Sequence, residues 1–200
     1  TQQQVQSFFI DETEVTNSMY LEYLNYLKKV YPPENTKLNG VYEAALPDTL
    51  VWRNRLSYNE DFVINYLRHP AFGEFPVVGV SWIQANQYAK WRTNRVNEAL
   101  LVREGFLSEN AKFVSLNGES PEFNSEAYLK NPSITYGGLI DSLQGKNKKD
   151  SIPVFAKASD GIILPPYRLP TETEWEYAAQ AQSGDREYNN YKGRKKYPWD

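Results

Sequence analysis

Arg168-Leu169-Pro170-Thr171-Glu172-Thr173-Glu174-Trp175-Glu176-Tyr177-Ala178-Ala179 is the stretch whose reading decides the fold. Thr171 and Glu174 stand three apart directly after a proline. That is the spacing of a capping box, in which each side chain satisfies an amide left open at a helix start. Trp175, Ala178 and Ala179 then recur at helical spacing, which predicts roughly three turns of helix with the tryptophan turned inward. Truncating such a buried ring costs roughly 3 to 5 kcal/mol. Glu172, Glu174 and Glu176 fall in the first turns, where the helix dipole favours negative charge, so they need no catalytic explanation.

Two further helix starts lie upstream. Thr16 can cap a helix whose Tyr20, Tyr23, Leu24, Leu27 and Tyr31 form one apolar stripe, with Pro32-Pro33 ending it. Ser81 and Gln84 make another capping box. The helix after it is predicted from Trp82 to about Arg103, with Gly105 as its stop and Trp82, Ala85, Tyr88, Ala89, Arg92, Val96 and Leu100 facing inward. Short strands are predicted within Gln6 to Val15 and over Pro76-Val77-Val78-Gly79-Val80. Residues 34 to 76 mix short apolar pieces, Leu50-Val51-Trp52 and Phe62-Val63-Ile64, with the breaks Pro47-Asp48 and His69-Pro70. Residues 106–166 are turn-rich. They read as a long insertion kept ordered by Tyr128, Tyr136, Val154, Phe155 and Ile162-Ile163-Leu164, since connections of that length are functional or disordered.

Composition narrows the chemistry. The 200 residues are 40% hydrophobic, enough for one sizeable core, and we expect residues 1–200 to form a single domain. A net charge of -3 gives no concentrated basic face for nucleic acid; the short runs Lys146, Lys148, Lys149 and Arg194, Lys195, Lys196 read as solvated loops. The chain has no cysteine, which removes disulfides, thiolate metal sites and cysteine nucleophiles from these residues. No apolar run approaches the roughly 20 residues of a membrane-spanning helix. The end at Tyr197-Pro198-Trp199-Asp200 is aromatic rather than polar, and the chain is expected to continue past it.

Candidate chemical groups are few. His69, the single histidine, precedes Pro70 in a turn, so no two-histidine metal site can assemble. Asp11, Glu12 and Glu14 could attract a hard cation, but their spacing fits no calcium loop. Asp160-Gly161 and Asn117-Gly118 are turn pairs. No phosphate loop and no nucleophile elbow occurs. No catalytic, cofactor-binding or metal residue is therefore assigned.

Three blocks in order carry a family resemblance. They are Phe8-Phe9-Ile10-Asp11-Glu12-Thr13-Glu14-Val15-Thr16-Asn17; Pro76 to Ala85 with Tyr88 and Trp91-Arg92; and Arg168 to Ala179, followed by Tyr197-Pro198-Trp199. Together they resemble the formylglycine-generating-enzyme, or sulfatase-modifying-factor, fold family. The resemblance implies an α+β, C-type-lectin-like fold with little regular secondary structure, helices on small twisted sheets and long loop insertions. In the oxygen-dependent enzyme of the family, the copper-binding cysteines lie downstream of the stretch that these residues match, and so do most of its structural calcium ligands. No cofactor is therefore expected within this segment.

The segments between the blocks are more specific. Ala45 to Arg53, Tyr66 to Phe72, Trp91 to Glu98 and the insertion ending Asp160-Gly161-Ile162-Ile163-Leu164-Pro165 are similar to gliding-motility lipoproteins of the Bacteroidota. That similarity implies a non-catalytic scaffold, lipid-anchored upstream of Thr1 on the periplasmic face of the outer membrane. Its implied partners are proteins of the gliding and type IX secretion machinery, including a sister lipoprotein. A copper-dependent oxidase making formylglycine from a substrate cysteine, and a glycan- or peptidoglycan-binding module, are the alternatives.

Overall fold

Thr16 begins the first helix as its side chain predicts, but the loop that meets that helix start comes from more than 50 residues downstream. The computed structural model describes residues 4–31, 39–107, 123–132 and 155–180. The chain divides into two compact units, Val15–Arg168 and Thr1–Glu14 with Leu169–Asp200.

In the larger unit, α1 (Asn17–Val30) is capped by Thr16, whose hydroxyl accepts from the Met19 amide at 3.3 Å. The remaining open amides of its first turn donate to loop carbonyls, Asn17 N to Phe75 O and Ser18 N to Gly73 O, both at 2.9 Å. The Asn17 side chain, fully buried, donates to Tyr66 O at 3.0 Å and Phe72 O at 2.9 Å. Tyr20, Tyr23, Leu24, Leu27 and Tyr31 are all buried, as the stripe predicts. Pro32-Pro33 lies outside the described residues.

Next come α2 (Asn39–Ala45), a 3-10 turn at Thr49–Trp52 capped by Asp48, α3 (Glu60–Asn65) and a 3-10 turn at Pro70–Phe72. Aromatic rings tie this stretch together: Trp52 lies 4.6 Å from Tyr66, and Phe72 packs on Phe62, Tyr66 and Phe75 at 5.4 to 5.9 Å. The chain then reaches α4 (Trp82–Arg103). Its capping box is formed, Ser81 N donating to Gln84 Oε1 at 2.8 Å and Gln84 N to Ser81 Oγ at 3.3 Å. The Gln84 amide nitrogen also donates to Ala44 O and Leu46 O, both at 2.9 Å, tying the end of α2 to the start of α4. Gly105 follows the helix with φ +80, the left-handed stop expected of it.

The buried face of α4 departs from the prediction. Trp82 is 73% exposed, and beyond Tyr88 the buried residues are Thr93, Asn97 and Leu101 rather than Val96 and Leu100. The reason is that the second half of the helix is covered by backbone, which needs polar partners. Thr93 Oγ accepts from Tyr167 N at 2.9 Å and donates to Ala89 O at 2.8 Å. One turn later, Asn97 Oδ1 accepts from Leu164 N at 2.9 Å while its Nδ2 donates to Leu164 O and to Ser125 Oγ, both at 3.2 Å. Arg92 lies over the Tyr167 ring at 4.3 Å. The described part of the insertion, with α5 (Ser125–Lys130), closes a second core of Leu101, Leu107, Phe123, Tyr128 and Ala156. Tyr136 and Val154 fall outside the described residues.

Neither predicted strand forms. Among the described residues the structure is helical with two isolated antiparallel bridges, Thr16 with Pro76 and Asn54 with Ser57. The twisted sheets of an α+β fold have no counterpart there. Over Pro76 to Val80, Val77 N does reach Val15 O at 2.9 Å, but Gly79 at φ +80 turns the chain out of extended geometry. A Cβ on Gly79 would lie 2.1 Å from Asp48 O, whose own amide donates to Gly79 O at 2.8 Å.

In the smaller unit, α6 (Glu172–Gln180) carries its expected capping box, Thr171 N to Glu174 Oε2 at 2.8 Å and Glu174 N to Thr171 Oγ1 at 3.3 Å. Trp175, however, is 61% exposed, and Ala179 is exposed too. The ring that finds a partner is Tyr177, edge-on to Phe8 at 6.4 Å. Two residues on a helix are about 200° apart, so the contact is made from nearly the opposite face to the predicted one.

Gly79→Ala is expected to cost more than about 2 kcal/mol, since strained φ and backbone collision add, and urea unfolding reads it directly. Asn97→Leu should cost about 2 kcal/mol by leaving Leu164 without its side-chain partner. Hydrogen exchange should then speed at the Leu164 amide before the rest of the unit.

A groove between the first, second and fourth helices

Three helices of the larger unit leave an open groove of about 610 Å³ between them. α1 contributes Tyr23 and Leu27, one turn apart on a single face, and Tyr31 follows at its C-cap. α2 adds Gly40, Val41 and Ala44. α4 adds Gln87, Lys90, Trp91 and Asn94, and Asn124 stands at the start of α5. Behind the groove is a layer of aromatic rings: Trp91 lies 5.1 Å from Tyr23, 5.8 Å from Tyr26 and 5.5 Å from Tyr88, and Tyr20 stacks on Tyr88 at 5.6 Å. Pairs of this kind contribute roughly 0.5 to 1.5 kcal/mol each beyond the area they bury. Arg95 lies 4.7 Å over the Tyr26 ring and pairs with Glu98.

The Tyr20 hydroxyl in this layer is held neutral. Tyr20 donates to Ala45 O at 2.8 Å, and burial pushes its ionisation well above the ordinary tyrosine range, with Tyr23 and Tyr88 adding to the effect. Burial likewise raises Tyr128, partly offset by the Ala156 amide that its hydroxyl accepts at 3.0 Å.

Of the groups singled out in the sequence, neither His69 nor Asp160-Gly161 lines this groove. His69 is exposed and caps the Pro70–Phe72 turn, its Nδ1 accepting from Ala71 N at 3.2 Å. An acceptor Nδ1 places the ring proton on Nε2. Asp11, Glu12 and Glu14 belong to the other unit and are exposed. Among the described residues no group of three or more histidine or acidic side chains could hold a metal ion. Asp160-Gly161 is the turn it was read as, with Gly161 at φ +69 and the Asp160 carboxylate accepting from Lys157 N at 2.8 Å. Asn117-Gly118 and both basic runs lie outside the described residues. No described helix is long and apolar enough to cross a membrane.

Two of the resembling blocks meet in space, Val15 and Thr16 of the first against Pro76 and Val77 of the second. Over residues 1–200, the entire chain, the sequence matches the sulfatase-modifying factor enzyme 1-like domain. The chain belongs to this family. No curated protein and no solved structure matches it. In this sulfatase-modifying-factor domain the groove residues Lys90 and Asn94 carry no local signal, being polar residues on a helix whose pattern points elsewhere. Asn124 does carry one. It precedes Ser125-Glu126-Ala127 and accepts from the Glu126 and Ala127 amides at 3.0 and 3.1 Å, an N-cap legible from sequence.

The raised tyrosines fix a pH dependence. Unfolded tyrosine ionises near pH 10, whereas the folded state keeps its proton to higher pH. Stability contributed this way is therefore complete below about pH 10 and is lost as pH rises beyond it. Tyr20→Phe should cost about 1 kcal/mol at pH 8, through the lost bond to Ala45 O, yet flatten the fall between about pH 10 and 12. Urea midpoints across that range check both effects.

Proposed function

We propose that this domain is the non-catalytic, lectin-like scaffold of an outer-membrane lipoprotein similar to the gliding-motility protein GldJ, facing the periplasm and serving gliding motility and type IX secretion. Its partners are components of that machinery, among them the sister lipoprotein GldK, with membrane attachment through a lipidated cysteine upstream of Thr1 and no nucleic acid. Family membership supports the core of this proposal, and the similarity between the blocks supports its finer part.

One observation carries the scaffold role. The α4 segment that holds the insertion through Asn97, and the residue just after it through Thr93, lies within Trp91 to Glu98, itself one of the segments similar to gliding-motility lipoproteins. The insertion is thus mounted on the longest described helix and presents exposed Glu126, Leu129 and Lys130 on α5. Loops placed on a rigid support are where binding residues concentrate. The same contacts show that removing residues 108 to 164 would strip the cover from Leu101 and the partners of Asn97. Surface substitutions are therefore the cleaner probe.

The family match also supports a second reading, a copper-dependent oxidase that turns a substrate cysteine into formylglycine. It requires cysteines outside these residues, which contain none. The lectin-like fold further admits a glycan-binding role, which a glycan array with the purified domain addresses.

A triple variant, Glu126→Lys, Leu129→Asp and Lys130→Glu, placed in the full-length protein of a gliding bacterium, is expected to keep its melting temperature within a few degrees. It should lose co-purification of the secretion components. Normal co-purification would remove the insertion from the interface, and copper-dependent conversion of cysteine to formylglycine in a test peptide would replace the scaffold with the enzyme.

A further inference from the structure

The polar wall of the groove has an uneven hydrogen-bonding character. Asn94 Oδ1 is already occupied by the Ser125 amide at 3.0 Å, and Asn124 Oδ1 by the Glu126 and Ala127 amides. These bonds fix both side-chain amides and leave their NH₂ groups as the uncommitted ends. Lys90 adds an exposed ammonium with no ion pair to any described residue, and no aspartate or glutamate stands among the described lining residues. Behind this wall the indole N–H of Trp91 is fully buried and lacks an acceptor. Among the described lining residues the polar wall is thus rich in donors around one positive charge, with Gln87 adding a side-chain acceptor. Facing it is an aliphatic surface of Leu27, Val41 and Ala44.

From this complementarity we infer that the groove is a binding site for a carboxylate-bearing peptide segment of a partner protein, with an aliphatic side chain beside the carboxylate. A carboxylate supplies only acceptors and a negative charge, which is what the donors and Lys90 leave unmatched. A sugar fits less well, because Tyr23 and Tyr31 are buried and leave the half-buried Trp91 as the one described lining ring that a pyranose could meet. The carboxylate belongs either to a side chain or to a chain terminus, since the same donors serve both.

Three short peptides separate these sources: acetyl-Leu-Glu-Val-amide, acetyl-Leu-Gln-Val with a free C-terminal carboxylate, and acetyl-Leu-Gln-Val-amide with neither. Each is titrated into the ¹⁵N-labelled chain while the Trp91 indole resonance, assigned with Trp91→Phe, is followed. One or both carboxylate peptides should saturate the shift, and the fully amidated peptide should not. Lys90→Glu, an exposed substitution that spares the core, should weaken binding by about tenfold, and Lys130→Glu should leave it unchanged. Equal binding of the amidated peptide, no shift with any peptide at millimolar concentration, insensitivity to Lys90→Glu, or binding of an acidic oligosaccharide in place of the peptides would each overturn the inference. The titration uses no secretion component, so it succeeds or fails independently of the co-purification experiment.

Discussion

Asn97 holds both polar groups of one residue's backbone, the N–H and the C=O of Leu164, across a separation of 67 residues. A strand would normally satisfy such a pair by lying beside another strand. Here a helix does so with a single side-chain amide, which has the same donor and acceptor geometry as a peptide bond. Thr93 repeats the device one turn earlier at Tyr167. Two polar side chains at helical spacing thus seat an extended segment on α4 and fix the position of everything it carries. Leu101, Phe123 and Tyr128 can then close a dry core beside it.

That arrangement explains which parts of the fold could be read from sequence. Capping is local chemistry, so Thr16, the Ser81 and Gln84 box and the Thr171 and Glu174 box stand where their spacing places them. The stripe on α1 was equally legible because its cover is apolar side chains. On α4 the cover changes along the helix, from tyrosine rings to a peptide backbone, and hydrophobic periodicity is blind to the second kind. Gly79 misled in another way: a single residue at positive φ, required by Asp48 pressing against it, ends an otherwise strand-like run. Trp175 failed because the short helix α6 finds its described partner through Tyr177. Of the groove, the aromatic floor was visible as part of a core stripe. Its donor-rich wall was hidden because Asn94 and Asn124 acquire their character only by meeting around α5.

The tyrosine excess of the composition acquires a structural meaning in the same light. Tyr20, Tyr23 and Tyr88 interlock edge-on and stacked, and the Tyr20 hydroxyl reaches the carbonyl that ends α2. Phenylalanine could supply the rings but not the tether to α2. The layer that floors the groove therefore also fixes the position of one of its walls, so the width of the opening is set by hydrogen bonding as much as by packing.

The first helix has a further consequence for how the chain is made. Its opening amides and the Asn17 side chain are satisfied by carbonyls between residues 66 and 75, up to 55 residues away for the side-chain bonds. At ribosomal rates of about 5–20 residues per second, those carbonyls emerge roughly 3 to 11 s after the helix itself. Until then the helix start is held by Thr16 alone, and a 14-residue helix is marginal in water. The helix is therefore synthesised well before the carbonyls that complete it, which leaves its tyrosine stripe uncovered and open to chaperones during that interval.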